Sequence, residues 1–254
     1  MIYEKQEKII AVILAGGVGS RMGAEIPKQY LELKGKPVLA YSLIAFQGSE
    51  VDEIYVVCDP VYEDMIRSEI IEKYGISKFA GFAESGSERV WSVKNGIDKA
   101  LKTGYGENAE QKDNIYLMIH DGARPLVSRE LIERCKECVK KNGAVVPGLP
   151  LKDTIKEICG DKVASTPERH SFVAVQTPQC FRADIITNAY EGFFESLEGK
   201  VFSVNKAKGI VPTDDASLVE MFTDSQVTVV PGDERNLKIT TPVDMKTAQL
   251  YMKD

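Results

Sequence analysis

Ile9-Ile10-Ala11-Val12-Ile13-Leu14 runs directly into Ala15-Gly16-Gly17-Val18-Gly19-Ser20-Arg21-Met22-Gly23, and this junction decides the fold. An unbroken apolar run of this length reads as a strand buried on both faces, the pattern of a parallel sheet. A glycine-rich turn follows it. Glycine lets backbone amides come close to an anion and form a nest for it. Two familiar phosphate loops do not fit. A dinucleotide fingerprint needs glycine where Met22 stands, and no register supplies the G-x-x-x-x-G-K-[ST] of a Walker A loop. A glycine turn alone is equally a tight bend with no ligand, and Arg or Lys alone is usually a solvated charge. Arg21 in the turn and Lys28 in Pro27-Lys28-Gln29 together favour a polyphosphate, because a guanidinium fork and a point charge then flank the amides.

Strand and helix patterns alternate outward from this junction. Strands are expected over 53–58, 78–83, 115–120 and 143–146, and helices over 38–46, 61–74, 88–101 and 129–141. That alternation predicts an α/β fold with a mainly parallel sheet. Ligands of such sheets bind beyond the carboxyl ends of the strands. The turns 15–23, 84–88 and 121–125 are therefore the expected site. After Pro147 the rhythm changes. Short β-like pieces over 154–158 and 172–175 surround a polar turn at Gly160-Asp161, which predicts a protruding arm over 148–175. Helices at 183–197 and 216–222, a strand at 227–230 and a helix at 242–252 complete the chain. No repeat or long linker divides it, so residues 1–254 are expected to form one domain, with a loose polar loop over 104–113.

The 254 residues carry 32 Lys plus Arg against 38 Asp plus Glu, a net charge of −6, and 43% are hydrophobic. This excludes wholesale disorder, collagen-like repeats and a disulfide scaffold. The acidic balance argues against binding nucleic acid by bulk charge, although a local basic cluster can still hold a phosphate. No apolar run approaches the about 20 residues of a membrane span. The charged start MIYEKQEKII lacks a signal-type apolar core. A soluble, cytoplasmic protein is expected. The odd count of five cysteines suggests reduced thiols. Cys135-x-x-Cys138 invites a redox or zinc reading, but with Leu131 and Val139 it follows one apolar helix face, and no second Cys or His pair completes a metal site. Core packing is the preferred reading.

Further segments carry a resemblance. The A-G-G-x-G-S-R-M-G turn with Pro27-Lys28-Gln29 is similar to the start of sugar- and polyol-phosphate nucleotidyltransferases. His120-Asp121-Gly122-Ala123-Arg124-Pro125, Lys152-Asp153-Thr154, Gln176-Thr177-Pro178-Gln179, Thr213-Asp214-Asp215-Ala216 and the stretch Asn236-Leu237-Lys238-Ile239-Thr240-Thr241-Pro242-Val243-Asp244 narrow it. In this order they resemble the 2-C-methyl-D-erythritol 4-phosphate cytidylyltransferases of isoprenoid synthesis, over all but about the first eight residues. The ribitol-5-phosphate cytidylyltransferases share the glycine turn, Pro-Lys-Gln and Lys-x-Thr-Thr-Pro, and are the alternative. A non-catalytic nucleotide-binding module is a further one, disfavoured because Arg21, Lys28 and Lys238 are all present.

The resemblance implies a Rossmann-like domain that uses CTP, a polyol phosphate and Mg²⁺. It implies that Arg21, Lys28 and Lys238 act on the triphosphate as catalytic cations. Ala15, Gly16, Gly17 and Gly19, with Gly86, Ser87 and Ser92, are implied in nucleotide binding. Ser87 stands where many relatives carry Asp; Ser85 and Ser87 are also candidate helix N-caps. Asp121, Gly122, Arg124, Arg169, Thr177 and Thr213 are implied in acceptor binding, with Asp121 also a candidate Mg²⁺ ligand. Gly122 replaces an Ala common in the family. Arg169 lies in the arm and resembles an arginine that reaches the neighbouring subunit's acceptor phosphate, which implies a homodimer with exchanged arms. Asp214 and Asp215 read as helix-start residues, His120 as structural at a strand end, and His170 as arm surface.

Overall fold

The computed structural model describes residues 7–17, 26–102, 114–198 and 212–252. Strand β1 (Lys8–Leu14) occupies the centre of an eight-stranded sheet. Its side chains alternate between two cores: Ile9, Ala11 and Ile13 face one, Ile10 and Val12 the other. Both faces are therefore covered, which is why its apolar run is unbroken. A short hairpin, β2 (Glu32–Leu33) and β3 (Lys36–Pro37), precedes α1 (Val38–Gln47). Strand β4 (Glu53–Cys58) matches its expected span. The helical stretch after it is irregular: a 3₁₀ turn at Pro60–Tyr62, α2 (Glu63–Ile66), then a π-helical run at Arg67–Glu72.

β5 (Phe79–Glu84) and α3 (Arg89–Lys102) follow, then β6 (Ile115–Asp121) and α4 (Arg129–Asn142). Local chemistry fixes the ends of α4. The Ser128 hydroxyl accepts from Leu131 N at 3.2 Å, and Gly143 closes the helix in the left-handed conformation at φ 79°. Cys135 is buried in the core on this helix, as its spacing predicted, and Cys138 packs partly buried against the same core. Among the described residues no group of three or more His, Cys, Asp or Glu side chains could hold a metal ion.

β7 (Ala144–Pro150) leads into the arm, where β8 (Glu157–Cys159) and β9 (Lys162–Ser165) form a fully exposed hairpin. β10 (Val173–Val175) returns to pair antiparallel with β7. The short strands β2, β3 and β9 were not foreseen, nor was one strand of the main sheet. β11 (Gln179–Arg182) lies antiparallel between β6 and β7 and, with β10, adds antiparallel pairs to the mainly parallel sheet that was expected. Helices α5 (Ala183–Leu197) and α6 (Asp215–Phe222), strand β12 (Thr228–Pro231) and α7 (Pro242–Tyr251) complete the fold. The parallel pairs are β1–β4, β1–β6, β4–β5 and β7–β12. Among the described residues no helix is long and apolar enough to cross a membrane.

Candidate active site

The carboxyl ends of β1, β5 and β6 open into one cleft, where the turn positions predict it. Ala15 N donates to the Val57 carbonyl at 2.7 Å, so the glycine turn leaves β1 still tied to β4. A Cβ on Gly16 would lie 2.2 Å from the Ser85 Cβ, so only glycine lets this turn approach the 84–88 loop so closely. Gln29, itself buried, donates from Nε2 to the carbonyls of Ala15 at 2.5 Å and Gly17 at 3.0 Å. The Tyr30 hydroxyl donates to the same Ala15 carbonyl at 2.9 Å. Pro27-Lys28-Gln29 thus pins the turn as well as presenting Lys28 to the cleft. Gly19 and Arg21 lie outside the described residues.

The cleft has a volume of about 560 Å³ and is lined by Gly16, Gly17, Lys28, the 85–89 loop, Ser92, Asp121 and Lys238. The Ser92 hydroxyl accepts from Gly86 N at 3.0 Å and donates to the Glu88 carbonyl at 3.1 Å, which holds this loop in shape. Neither Ser85 nor Ser87 caps α3: the helix begins at Arg89, and both serines face the cleft instead.

Asp121 closes β6 and is the electrostatic centre. Lys238 Nζ lies 3.0 Å from its Oδ2, Arg124 Nε 3.4 Å from the same atom, and Arg89 Nε 4.0 Å from Oδ1. Burial pushes this carboxyl upward, but Lys238, Arg89 and Arg124 outweigh burial and hold it well below the usual carboxylate range. A second cavity of about 170 Å³ adjoins, lined by Arg124, Thr177, Thr213 and Gln179 among others. Arg89, Asp121 and Lys238 line both cavities and form the partition between them.

Behind Asp121 the polar groups are buried, and most are paired; His120 Nε2 and Asn236 Oδ1 have no partner among the described residues. The Thr177 hydroxyl oxygen accepts from Asp121 N at 3.1 Å and lies 3.1 Å from His120 Nδ1. Burial pushes the His120 imidazole down to about 3, so it is a neutral structural group, as expected at the strand end. His170 is exposed on the arm. Asp214 caps α6 through a capping box with Ser217. Asp215 does more than begin a helix. Its carboxylate, with no exposed side-chain surface, takes Arg89 Nη1 and Nη2 at 2.8 and 2.7 Å and the Tyr190 hydroxyl at 2.7 Å.

Ala15 and Gly122 line neither cavity. Ala15 contributes its carbonyl to the Gln29 clamp. Gly122 N donates to the Leu14 carbonyl at 2.9 Å, and a Cβ here would meet that oxygen at 2.9 Å and Leu39 Cδ1 at 2.8 Å. Its small size serves packing at the β1–β6 seam. Arg169 also lies outside both cavities; its guanidinium donates to the Lys152 carbonyl within the arm. Sequence reasoning missed the clamp made by Gln29 and the partition role of Arg89. Arg89 left one signal: a cation in the first turn of a helix opposes the helix dipole and calls for an acidic partner.

Comparisons with known proteins give the family and the fold. The family model for 2-C-methyl-D-erythritol 4-phosphate cytidylyltransferase matches residues 9–254. A protein of that name from Lachnospira eligens is 41% identical over 245 residues, covering 96% of this chain and 98% of its own. One from Geotalea uraniireducens is 39% identical, with 97% of each chain covered. The crystal structure of 4-diphosphocytidyl-2C-methyl-D-erythritol synthase from Anaerococcus prevotii superposes with a TM-score of 0.78 at 32% identity, over 98% of this chain and 97% of that one. The Thermus thermophilus cytidylyltransferase gives a TM-score of 0.70 at 27% identity, over 98% of this chain and 100% of that one. With the family model spanning residues 9–254 and relatives of that name 39–41% identical over nearly the whole chain, the chain belongs to the 2-C-methyl-D-erythritol 4-phosphate cytidylyltransferase family.

Proposed function

We propose that this chain transfers CMP from CTP to 2-C-methyl-D-erythritol 4-phosphate, giving 4-diphosphocytidyl-2-C-methyl-D-erythritol and pyrophosphate. The observation that carries this reading is Asp121, Arg89 and Lys238 standing between a nucleotide-sized cleft and a smaller polar cavity. The larger cavity takes CTP, its base against Gly16 and the loop of Gly86, Ser87 and Ser92, its triphosphate toward Lys28 and Lys238. Arg21, on the same turn, joins the triphosphate. The smaller cavity takes the polyol end of the acceptor, where Asp121 accepts from hydroxyls and Thr177, Thr213 and Arg124 provide donors.

An oxygen of the acceptor phosphate attacks the α-phosphorus of CTP. A new P–O bond forms while the bridge to the β-phosphate breaks, and pyrophosphate leaves with that electron pair. The protein need supply no nucleophile. Its contribution is to align two anions and to stabilise charge on the oxygens around phosphorus. Lys28 and Lys238 approach that centre from separate segments, so neither depends on the other's backbone. The nucleotide phosphates would supply most of the hard oxygens that Mg²⁺ prefers, with Asp121 at most one further oxygen, because its carboxylate is already engaged by Lys238, Arg124 and Arg89. Bound there, the ion would neutralise phosphate charge.

The arm, 148–175, serves dimerisation of a one-domain chain in this reading. Ile158, Val163 and Phe172 are exposed on it, and Arg169 sits with them, away from its own chain's cavities. An exchanged arm would carry Arg169 to the partner's acceptor phosphate. The direct test is pyrophosphate release from CTP with 2-C-methyl-D-erythritol 4-phosphate, ribitol 5-phosphate or no acceptor, repeated with UTP and ATP. Release with CTP and the methylerythritol acceptor is expected. Preference for ribitol 5-phosphate, or none for CTP, overturns the assignment.

A further inference from the structure

Lys238 belongs to no regular element, being carried on the coil between β12 and α7. Its ammonium nonetheless stands 3.0 Å from Asp121, so something must hold that coil. The strongest anchor is Asn236, which has no exposed surface and lines neither cavity. Its Nδ2 donates to the Thr177 carbonyl at 2.8 Å. Its own carbonyl accepts from Arg124 Nη1 at 2.8 Å and from Gln176 Nε2 at 3.3 Å. Just beyond Lys238, Ile239 N donates to the Ala123 carbonyl at 2.9 Å. Lys238 is therefore bracketed by two anchors that grip the 123–124 turn and the 176–177 segment.

The contacts close a ring. Asn236 holds the Thr177 carbonyl, Thr177 accepts from Asp121 N at 3.1 Å, and Asp121 takes the Lys238 ammonium. The Asn236 Oδ1 is buried without a hydrogen-bond partner among the described residues. A buried acceptor left dry costs stability, so the side chain's polar contribution here is made through its donor. We propose that Asn236 is a positioning residue: its amide sets the Lys238 ammonium over Asp121 and ties that cation to the Thr177 wall of the acceptor cavity. This rests on the cytidylyl-transfer reading for its kinetic consequence, and on geometry alone for the placement of Lys238.

The test combines kinetics with chemical labelling in the full chain. Asn236→Ala is expected to lower kcat with the methylerythritol acceptor by about 10²-fold, the scale of a small misplacement of a reacting group. KM for CTP should move less than about threefold, since the residue lines no cavity. In a Lys238→Ala background the same substitution should change kcat by less than about threefold, because groups acting as a unit are not additive. Acetylation of Lys238 by N-hydroxysuccinimide acetate, read by mass spectrometry, should be faster in Asn236→Ala than in the wild chain. Asn236→Leu, which keeps the branched side-chain shape and removes the donor without burying a charge, should behave alike and serves if the alanine variant does not fold. Equal losses in both backgrounds, or unchanged Lys238 labelling in a folded variant, would overturn the proposal. A wild chain that releases no pyrophosphate would defeat the functional reading instead, and labelling would still decide the position of Lys238.

Discussion

Asp215 and Arg89 are separated by 126 positions in sequence and joined by two hydrogen bonds in the fold. The carboxylate side chain is fully buried, so it depends on that guanidinium and on Tyr190 for its polar contacts. Removing it strips Arg89, whose side chain is partly exposed and still faces Asp121, of two charge-assisted bonds and leaves the Tyr190 hydroxyl without its acceptor, a loss of about 1.5–3 kcal/mol. Asp215→Ala is accordingly expected to lose that much stability in urea unfolding, and a loss under about 1 kcal/mol would contradict a buried pair. His120 sets a pH dependence of definite sign. Its ordinary value is 6.5 and burial pushes it down to about 3. Above 6.5 the imidazole is neutral in both states and its contribution is fully present; as pH falls from there toward 3, only the unfolded chain gains the proton and stability is lost. The slope from this group approaches about 1.4 kcal/mol per pH unit. Urea unfolding at several pH values should show a shallower dependence in His120→Gln; an identical slope would remove His120 as its source. The structural role of His120 was legible from its place at a strand end. The pairing of Asp215 was not, because a local pattern carries the helix-start signal and no trace of a partner so far away.

At the level of elements, α3 lies close against the sheet through Gly96, where a Cβ would come 2.5 Å from Val12 Cγ1 and 2.8 Å from Val57 Cγ2. Gly96→Ala should therefore overpack this seam and cost about 1–3 kcal/mol, despite alanine's better helix propensity. A thermal melt would check it, and a rise in Tm would show that the seam yields. Most of the architecture was readable because buried parallel strands and amphipathic helices leave long, regular patterns. β4 spans Glu53–Cys58 and α5 spans Ala183–Leu197, both as expected. β11 escaped because Gln179–Arg182 has only four residues, two of them polar, and follows a proline. Its strand character comes from β6 and β7 on either side, a tertiary cause that no local reading contains.

For the whole molecule, an acidic chain of net charge −6 gathers Lys28, Lys238, Arg89 and Arg124 at one end of its sheet. Those cations come from four separated segments, and the topology brings them together. The reading of the arm extends this logic across two chains. Arg169→Glu should raise KM for the methylerythritol acceptor while leaving CTP affinity intact, since the residue lies outside the nucleotide cleft. Titration calorimetry with CTP and steady-state kinetics with varied acceptor would separate the two; a collapse of CTP affinity would remove Arg169 from the acceptor side. The central claim is that lysines from distant segments stabilise one reacting phosphorus. Its most direct test is single-turnover CMP transfer by Lys238→Ala at saturating CTP and acceptor. The predicted result is a rate lower by about 10²–10³, the scale of one lost transition-state donor, in a folded protein that still binds CTP. An undiminished rate would contradict the account.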